Sequence, residues 1–330
     1  MVNVSVVMAT YNGEKYIKEQ LESIYSQEVA VDEVIICDDC SSDKTVEIVN
    51  EFIHEHNLCN WKVTINEHNV GFVKNFTKAF TLVNGKYIFL CDQDDIWEKN
   101  KTKVMLMIME KNSISVLNTS FRLIDSDGNY IKMSQKEKQS NYCLIKDRRV
   151  SENDLISFDL KNIICNNIAP GCTMCCTNQI KDLFLKIKNP VSIPHDWIIN
   201  ILGACLGKVY FLNIPLTRYR LHGNNTLGVV KKRTNLNLCA KDIRIQSIED
   251  KEYNLNSRMD IAKQYDESIC LLIFDKMFEF LKNRKEYIKE PSLNKLVRLV
   301  KNIRLYRVLF DIRACIGDVV YLFQTIIKKE

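Results

Sequence analysis

The sequence predicts an α/β fold with a mostly parallel central sheet, helices on both faces and a mainly helical C-terminal extension. Three observations predict it. Up to residue 100, short apolar runs alternate with helix-length periodic segments, the pattern of parallel strands joined by crossover helices. The runs are β-branched and almost continuously apolar, as strands covered on both faces require. Their carboxyl ends carry the polar clusters Thr10-Tyr11-Asn12, Asp38-Asp39, Glu67-His68-Asn69 and Asp92-Gln93-Asp94-Asp95, where open α/β sheets bind ligands.

Val4–Ala9 reads as the first strand, broken by Tyr11-Asn12-Gly13, and Glu14–Gln27 as the first helix. Strand and helix repeat at Glu33–Cys37 and Lys44–His56, then at Trp61–Asn66 and Phe72–Val83, and a fourth strand follows at Tyr87–Cys91. From Asn100 to about Ser192 the pattern weakens to a helix at Thr102–Glu110, a strand at Ser115–Ile124, a turn at Asp127-Gly128 and a polar loop near 134–149. Order returns with a helix at Trp197–Cys205 and strands at Val209–Leu212 and Leu216–Arg220; from about Asn235 the chain reads as helical. These signals place one domain over 1–228, with halves 1–98 and 99–228, and a helical extension over 229–330.

A chain of 330 residues, 46% hydrophobic, can bury a full core. Met1 to Thr10 lacks the basic segment of a secretory signal, so the chain is expected to be cytoplasmic. Its thirteen cysteines are then expected to be reduced. Cys37/Cys40 and Cys172/Cys175 have the spacing of zinc ligands, but Cys37 ends a buried strand, where a thiol behaves as a small hydrophobe.

Three carboxylates in four residues, Asp92, Asp94 and Asp95, repel one another unless a cation sits among them. Hard oxygen ligands at a strand end suit Mg²⁺ or Mn²⁺; the alternative is a solvated acidic turn leading into a helix. At the second strand end, Asp39 can accept from a ribose hydroxyl or a base N–H. Thr10-Tyr11-Asn12-Gly13 supplies a single glycine, so the dinucleotide-binding fingerprint is absent and a nicotinamide enzyme is disfavoured.

Further on, Asp196 opens a helix after Pro194-His195, as a general base or as a carboxylate favouring the helix N-terminus. Strand alternation puts Arg218, Arg220 and His222 on one face, suited to a pyrophosphate, with His222 as a further metal ligand.

Four segments together, Ser5-Val6-Val7-Met8-Ala9-Thr10-Tyr11-Asn12-Gly13, Asp38-Asp39 with Ser41 and Asp43, Asn69 with Gly71 and Asn75, and Asp92-Gln93-Asp94-Asp95-Ile96-Trp97, resemble the family 2 glycosyltransferases of the Rossmann-like GT-A fold. Within that family the match is to bacterial rhamnosyltransferase-like members that build surface polysaccharides, and it runs over about the first 225 residues. The resemblance implies a nucleotide-binding half, 1–98, and a donor-sugar and acceptor half, 99–228. Thr10, Tyr11, Asn12, Asp38 and Asp39 would form the nucleotide and donor site, with Gly71 and Asn75 on the base and sugar side. Asp92 would meet the donor ribose or the metal, Asp94 would coordinate Mg²⁺ or Mn²⁺, and Asp196 would be the base of an inverting displacement. Many relatives carry an acidic residue where this chain has His195, which either tunes the base or packs. Asn167, Gly171 and Thr173 resemble a loop touching donor sugar or acceptor. The implied partners are a dTDP- or UDP-linked sugar, with dTDP-rhamnose preferred, and a glycan or lipid-linked acceptor.

The net charge of +5 resides in the tail: residues 291–330 hold eight basic and three acidic residues, and the rest of the chain balances. Leu296, Leu299, Val300, Ile303, Tyr306 and Phe310 share one helical stripe beside Arg298, Lys301 and Arg304. Such a stripe suits peripheral contact with an anionic membrane, or packing on the catalytic domain or in a homodimer. Asp311, Arg313 and Asp318 argue against a membrane span at Val308–Ile327. No nucleic-acid partner is expected, since basic and aromatic residues do not interleave. A nucleotide-sugar-binding protein without turnover and a nucleotidyltransferase are the other classes compatible with these motifs.

Overall fold

The computed structural model describes residues 3–131, 151–188, 193–223, 241–310 and 312–327; the loop expected near 134–149 lies outside them. Two compact units are present, one comprising 1–163 and 167–229, the other 164–166 and 230–330.

The larger unit opens with β1 (Val4–Thr10), α1 (Ile17–Tyr25), β2 (Glu33–Asp38), α2 (Thr45–Glu55), β3 (Trp61–Ile65), α3 (Phe72–Leu82) and β4 (Tyr87–Asp92). It continues with β5 (Ile96–Trp97), α4 (Lys101–Asn112), β6 (Val116–Ile124), β7 (Leu155–Ser157), α5 (Leu160–Cys165), a 3₁₀ turn Gly171–Thr173, β8 (Met174–Thr177), α6 (Asn178–Lys186), α7 (His195–Cys205) and β9 (Val209–Arg220). The sheet order is β3-β2-β1-β4-β8-β6-β9-β5, with β7 also on β9. β1 to β4 are parallel; β8 runs antiparallel to both β4 and β6, and β6 is parallel to β9.

β2 is buried along its whole length, and β1 and β4 nearly so, which explains their unbroken apolar character. Registration of Thr10 with Asp38 and of Ala9 with Asp92 brings three strand ends to one edge of the sheet. The first helix begins later than its periodicity suggests, because Asn12 turns at φ +48° and Gly13 accepts the first helical bonds from Tyr16 and Ile17. The strands expected at 209–212 and 216–220 are one strand, β9, whose pairing with β6 shifts register around Ser120 so that Asn213-Ile214-Pro215 passes without a break. β8 is too short to show a period, and β5 is two residues, so neither was legible.

The second unit contains α8 (Lys241–Tyr265), α9 (Glu267–Lys289), α10 (Leu293–Lys301), α11 (Ile303–Leu309) and α12 (Ile312–Ile327). Among the described residues no helix is long and apolar enough to cross a membrane. Asp318 is wholly buried: its carboxylate accepts from Arg244 at 2.6 Å, Arg284 at 2.7 Å and Tyr306 at 2.7 Å. Two guanidiniums therefore depend on one carboxylate. Asp318→Ala is expected to lower unfolding free energy by roughly 3–5 kcal/mol, measured by denaturant titration; a loss below about 1 kcal/mol would mean that water reaches the arginines.

The tail also departs from the expected single stripe. Asn302 ends α10 and precedes α11, and Leu296, Leu299 and Tyr306 face inward with almost no exposure. Half of the stripe, which was expected to meet either a membrane or protein, is thus core, while Val300 is exposed.

Candidate active site

The site is assembled where β1, β2 and β4 end. On β2, Asp38 is buried and accepts from the Thr10 hydroxyl at 2.7 Å and from the Ser41 N–H and hydroxyl at 2.8 and 2.6 Å. Asn12 accepts from the Ser42 N–H at 2.9 Å, and Tyr11 exchanges backbone bonds with the Gln93 side chain at 2.8 and 2.9 Å. Tyr11 itself remains 48% exposed, a flat apolar face at the mouth.

Asp39 accepts from Asn66 Nδ2 at 2.9 Å and from the backbone N–H groups of Val70 and Gly71, each at 2.8 Å. A carboxylate has about four acceptor positions, so one is left for a further donor. These bonds hold Gly71 at φ +85°, ψ 154° at the start of α3, a conformation open only to glycine. Asn75 is buried, bonded to the Cys37 carbonyl at 2.6 Å and to Asn66 at 3.0 Å. Thr10, Asp38 and Asn75, expected to touch the donor, instead brace the loops around it, because their polar atoms are enclosed and bonded within the protein.

The acidic cluster forms the other wall. Asp92, half-buried at the end of β4, has its carboxyl pushed up to about 7 by removal from water, then by the charges of Asp94 and Asp196. Asp95 is raised well above the usual carboxylate range by burial, then by the charges of Asp94 and Asp92. Its Oδ1 accepts from the Arg220 N–H at 3.0 Å, while its buried Oδ2 has no hydrogen-bond partner. Asp94 Oδ2 lies 2.7 Å from His222 Nε2.

Would a divalent cation fit? Crowded carboxylates that resist ionisation, an orphaned carboxylate oxygen and an imidazole beside Asp94 form a hard, anionic donor set suited to Mg²⁺ or Mn²⁺. Asp92, Asp95 and Cys172 can also bring ligand atoms within 4.8 Å of one another. The Cys172 thiol, however, is raised well above its usual range by burial and the nearby carboxylates, so it stays a poor ligand for a hard ion.

Arg220 corrects an expectation. It is 1% exposed, donates from Nε to the Asp94 carbonyl at 2.8 Å, pairs with Glu19 and lies 4.6 Å over the Tyr16 ring. It fixes the Asp94-Asp95 backbone from beneath and cannot present its guanidinium to a pyrophosphate. Arg218 is held in a two-pronged pair with Glu98 at 2.9 and 3.0 Å. Of the expected trio on one face, His222 is the one whose side chain meets a carboxylate of the acidic cluster, while Arg220 meets it through backbone groups.

Asp196 sits in the first turn of α7, its Oδ1 accepting from the Trp197 N–H and its Oδ2 from Asn167 Nδ2, both at 2.8 Å. Burial pushes its carboxyl up to about 6, against these hydrogen bonds. Behind it runs an amide ladder: Asn200 donates to Asn167 at 2.8 Å, and Asn118 on β6 donates to Asn200 at 2.8 Å. The ladder joins β6, the loop before β8 and α7, and it fixes the orientation of Asp196. Asn118 and Asn200 were missed because isolated asparagines within apolar runs carry no spacing signal.

His195 packs rather than tunes. It is 6% exposed, stacks on Phe76 at 3.9 Å, and neither ring nitrogen has a hydrogen-bond partner. Burial drops its pKa to about 3, so it brings no positive charge beside Asp196. Gly171 crosses both residues so closely that a Cβ would meet Asp196 Cβ and His195 Nε2 at 3.3 Å.

Lys101 also went unread. It is fully buried, donates to the Cys172 carbonyl at 2.7 Å and the Thr217 hydroxyl at 3.0 Å, and lies 4.0 Å over Trp97. Desolvation lowers its pKa to about 8, against the attraction of anionic neighbours including Asp95. It is a buried cation behind an acidic cluster. Lys101→Met is expected to cost roughly 3 kcal/mol of stability, seen as a lower Tm; an unchanged Tm would show that the ammonium compensates nothing.

Comparison with known proteins bears on the family and the fold. The chain is 29% identical over 261 residues to dTDP-rhamnosyl transferase RfbG of Shigella flexneri, covering 74% of this chain and 80% of that protein. It is 32% identical over 143 residues to the Escherichia coli UDP-Glc:alpha-D-GlcNAc-diphosphoundecaprenol beta-1,3-glucosyltransferase WfgD, 43% of this chain and 55% of that one. Among solved structures, Staphylococcus aureus TarS 1–349 in complex with UDP aligns with a TM-score of 0.54 at 19% identity, covering 97% of this chain and 89% of that one. A Pyrobaculum calidifontis mannosyltransferase in complex with GDP-Man and Mn²⁺ aligns at 0.50 and 13% identity, covering 98% of this chain and 87% of that one. The family model for glycosyl transferase family 2 matches residues 5–185, more than half the chain. The protein belongs to glycosyl transferase family 2.

Proposed function

We propose that the chain transfers a sugar from a nucleoside diphosphate to a glycan or lipid-linked acceptor, with inversion, in bacterial surface polysaccharide synthesis in the cytoplasm. The observation that carries this reading is the convergence of Asp196 with the acidic group Asp92, Asp94 and Asp95 at one mouth of the sheet. Tyr11 offers a stacking face and Asp39 one remaining acceptor position for the nucleoside. Asp94, His222 and Asp92 would hold Mg²⁺ or Mn²⁺, which, when bound, offsets the negative charge that develops on the leaving nucleoside diphosphate.

Asp196 takes the proton of the acceptor hydroxyl as its oxygen bonds to the anomeric carbon and the bond to the diphosphate breaks. Its partners Asn167 and the Trp197 N–H hold the carboxylate still. Burial makes it a stronger base than an exposed aspartate. Arg220 keeps Asp94 in place through its carbonyl.

dTDP-rhamnose is the proposed donor, on the likeness to RfbG. A UDP-linked glucose or N-acetylhexosamine is the second reading, favoured by the likeness to WfgD and by the TarS complexes with UDP and UDP-GlcNAc. Calorimetric binding of the purified chain to dTDP-rhamnose, UDP-glucose and UDP-GlcNAc with Mn²⁺ separates them. Tightest binding of dTDP-rhamnose is expected; preference for a UDP-sugar would replace it with the second reading, and no binding would refute both.

A further inference from the structure

We propose that the second unit docks on an anionic bilayer surface through two exposed apolar stripes, one on α10 and one on α12, each edged by cations. On α12, Ile316, Val320, Phe323 and Ile327 recur at intervals of four, three and four residues, and Phe323 and Ile327 are 60% and 68% exposed. The stripe runs along about 16 Å of helix. It lies opposite the inward face that carries Asp318 and Leu322. On α10, Leu293, Val297 and Val300 are exposed while Leu296 and Leu299 are buried. Of these exposed residues, only Val300 belongs to the stripe that sequence periodicity selected.

Charge identifies the occupant. At helical spacing, exposed Lys301 borders the α10 stripe with exposed Arg298 beyond it on the same flank, and exposed Arg313 borders the α12 stripe. Among the described residues 293–327 no carboxylate is exposed, because Asp318 is enclosed by two arginines. Apolar stripes bordered by lysine and arginine match the acyl boundary and anionic headgroups of a bilayer, and the nearest exposed carboxylate among the described residues, Glu290 before α10, is paired with Lys295. A second copy suits the face less well: a two-fold contact is self-complementary, so each edge cation would approach others of its own sign.

The test is independent of catalysis, since it uses neither donor nor metal. The full chain is sedimented with vesicles of phosphatidylcholine alone, and of phosphatidylcholine with about one quarter phosphatidylglycerol, at low and high salt. Partition is expected to be at least tenfold stronger on the anionic vesicles and to weaken with salt. Val320→Glu/Phe323→Glu, at exposed positions, is expected to reduce it at least tenfold with an unchanged melting curve. Arg298→Glu/Lys301→Glu is expected to remove the preference for anionic lipid. The proposal is overturned if the wild type stays in solution with both vesicles, if it binds both equally, or if Val320→Glu/Phe323→Glu binds as well as wild type. It is equally overturned if light scattering shows a dimer that Val320→Glu/Phe323→Glu splits while neither protein binds vesicles.

Discussion

Asp196→Asn is expected to lower sugar transfer by about 10³- to 10⁴-fold and to leave nucleotide-sugar affinity nearly unchanged. The amide keeps the shape of the carboxylate but can accept only one of the bonds donated by Asn167 and the Trp197 N–H, and it cannot take a proton. The same residue sets a pH dependence. Its carboxyl titrates near 6 because burial disfavours the charge, and the deprotonated form is the active one. Transfer by the wild type should therefore rise about tenfold per pH unit below 6 and level off above it, and the variant should lose that limb. Steady-state transfer from pH 4.5 to 8, followed by product analysis, checks both. A variant retaining a tenth of wild-type activity with the same profile would assign the base elsewhere.

Asp94→Ala has the second large effect. Asp94 faces His222 at 2.7 Å, its backbone is anchored by Arg220, and it adds negative charge beside Asp92 and Asp95. Its loss should reduce metal-stimulated release of nucleoside diphosphate by about 10³-fold and abolish saturable Mn²⁺ binding in the presence of nucleotide. His222→Gln should cost less, about 10- to 100-fold, and appear mainly as weaker metal affinity. Equal losses in the two variants would mean that the pair acts as one unit. Manganese titrations of nucleotide release distinguish these outcomes.

Where burial forces composition, the sequence could be read. β1, β2 and β4 are apolar through their centres, with Ser5 and Glu33 the buried polar pair near their start, and their strand-end carboxylates follow directly. Asp92 and Asp94 stood out in the sequence for that reason, whereas Asp196, at the start of α7, was singled out by the resemblance. Arg220 was misread because alternation gives the side of a strand, and the side it occupies is filled by Glu19, Tyr16 and the Asp94 carbonyl. Thr10, Asp38 and Asn75 were placed in the right region with the wrong contacts, since spacing cannot separate a residue that touches a ligand from one that braces the loop. Lys101 carried no signal at all: a lysine in the first turn of a helix reads as solvated, and only the tertiary fold encloses it. In the tail, a hydrophobic stripe marks a buried face, but not whether protein or lipid buries it.

The most direct test of the central claim is the identity of the product released from dTDP-rhamnose or a UDP-sugar by the purified chain with Mn²⁺, run beside Asp94→Ala. Metal-dependent release of dTDP or UDP by the wild type alone is the expected result. Conversion of the nucleotide sugar, on addition of pyrophosphate, to sugar 1-phosphate and dTTP or UTP would make the chain a nucleotidyltransferase, and tight nucleotide-sugar binding without release to water or any acceptor would make it a binding protein; either contradicts the account.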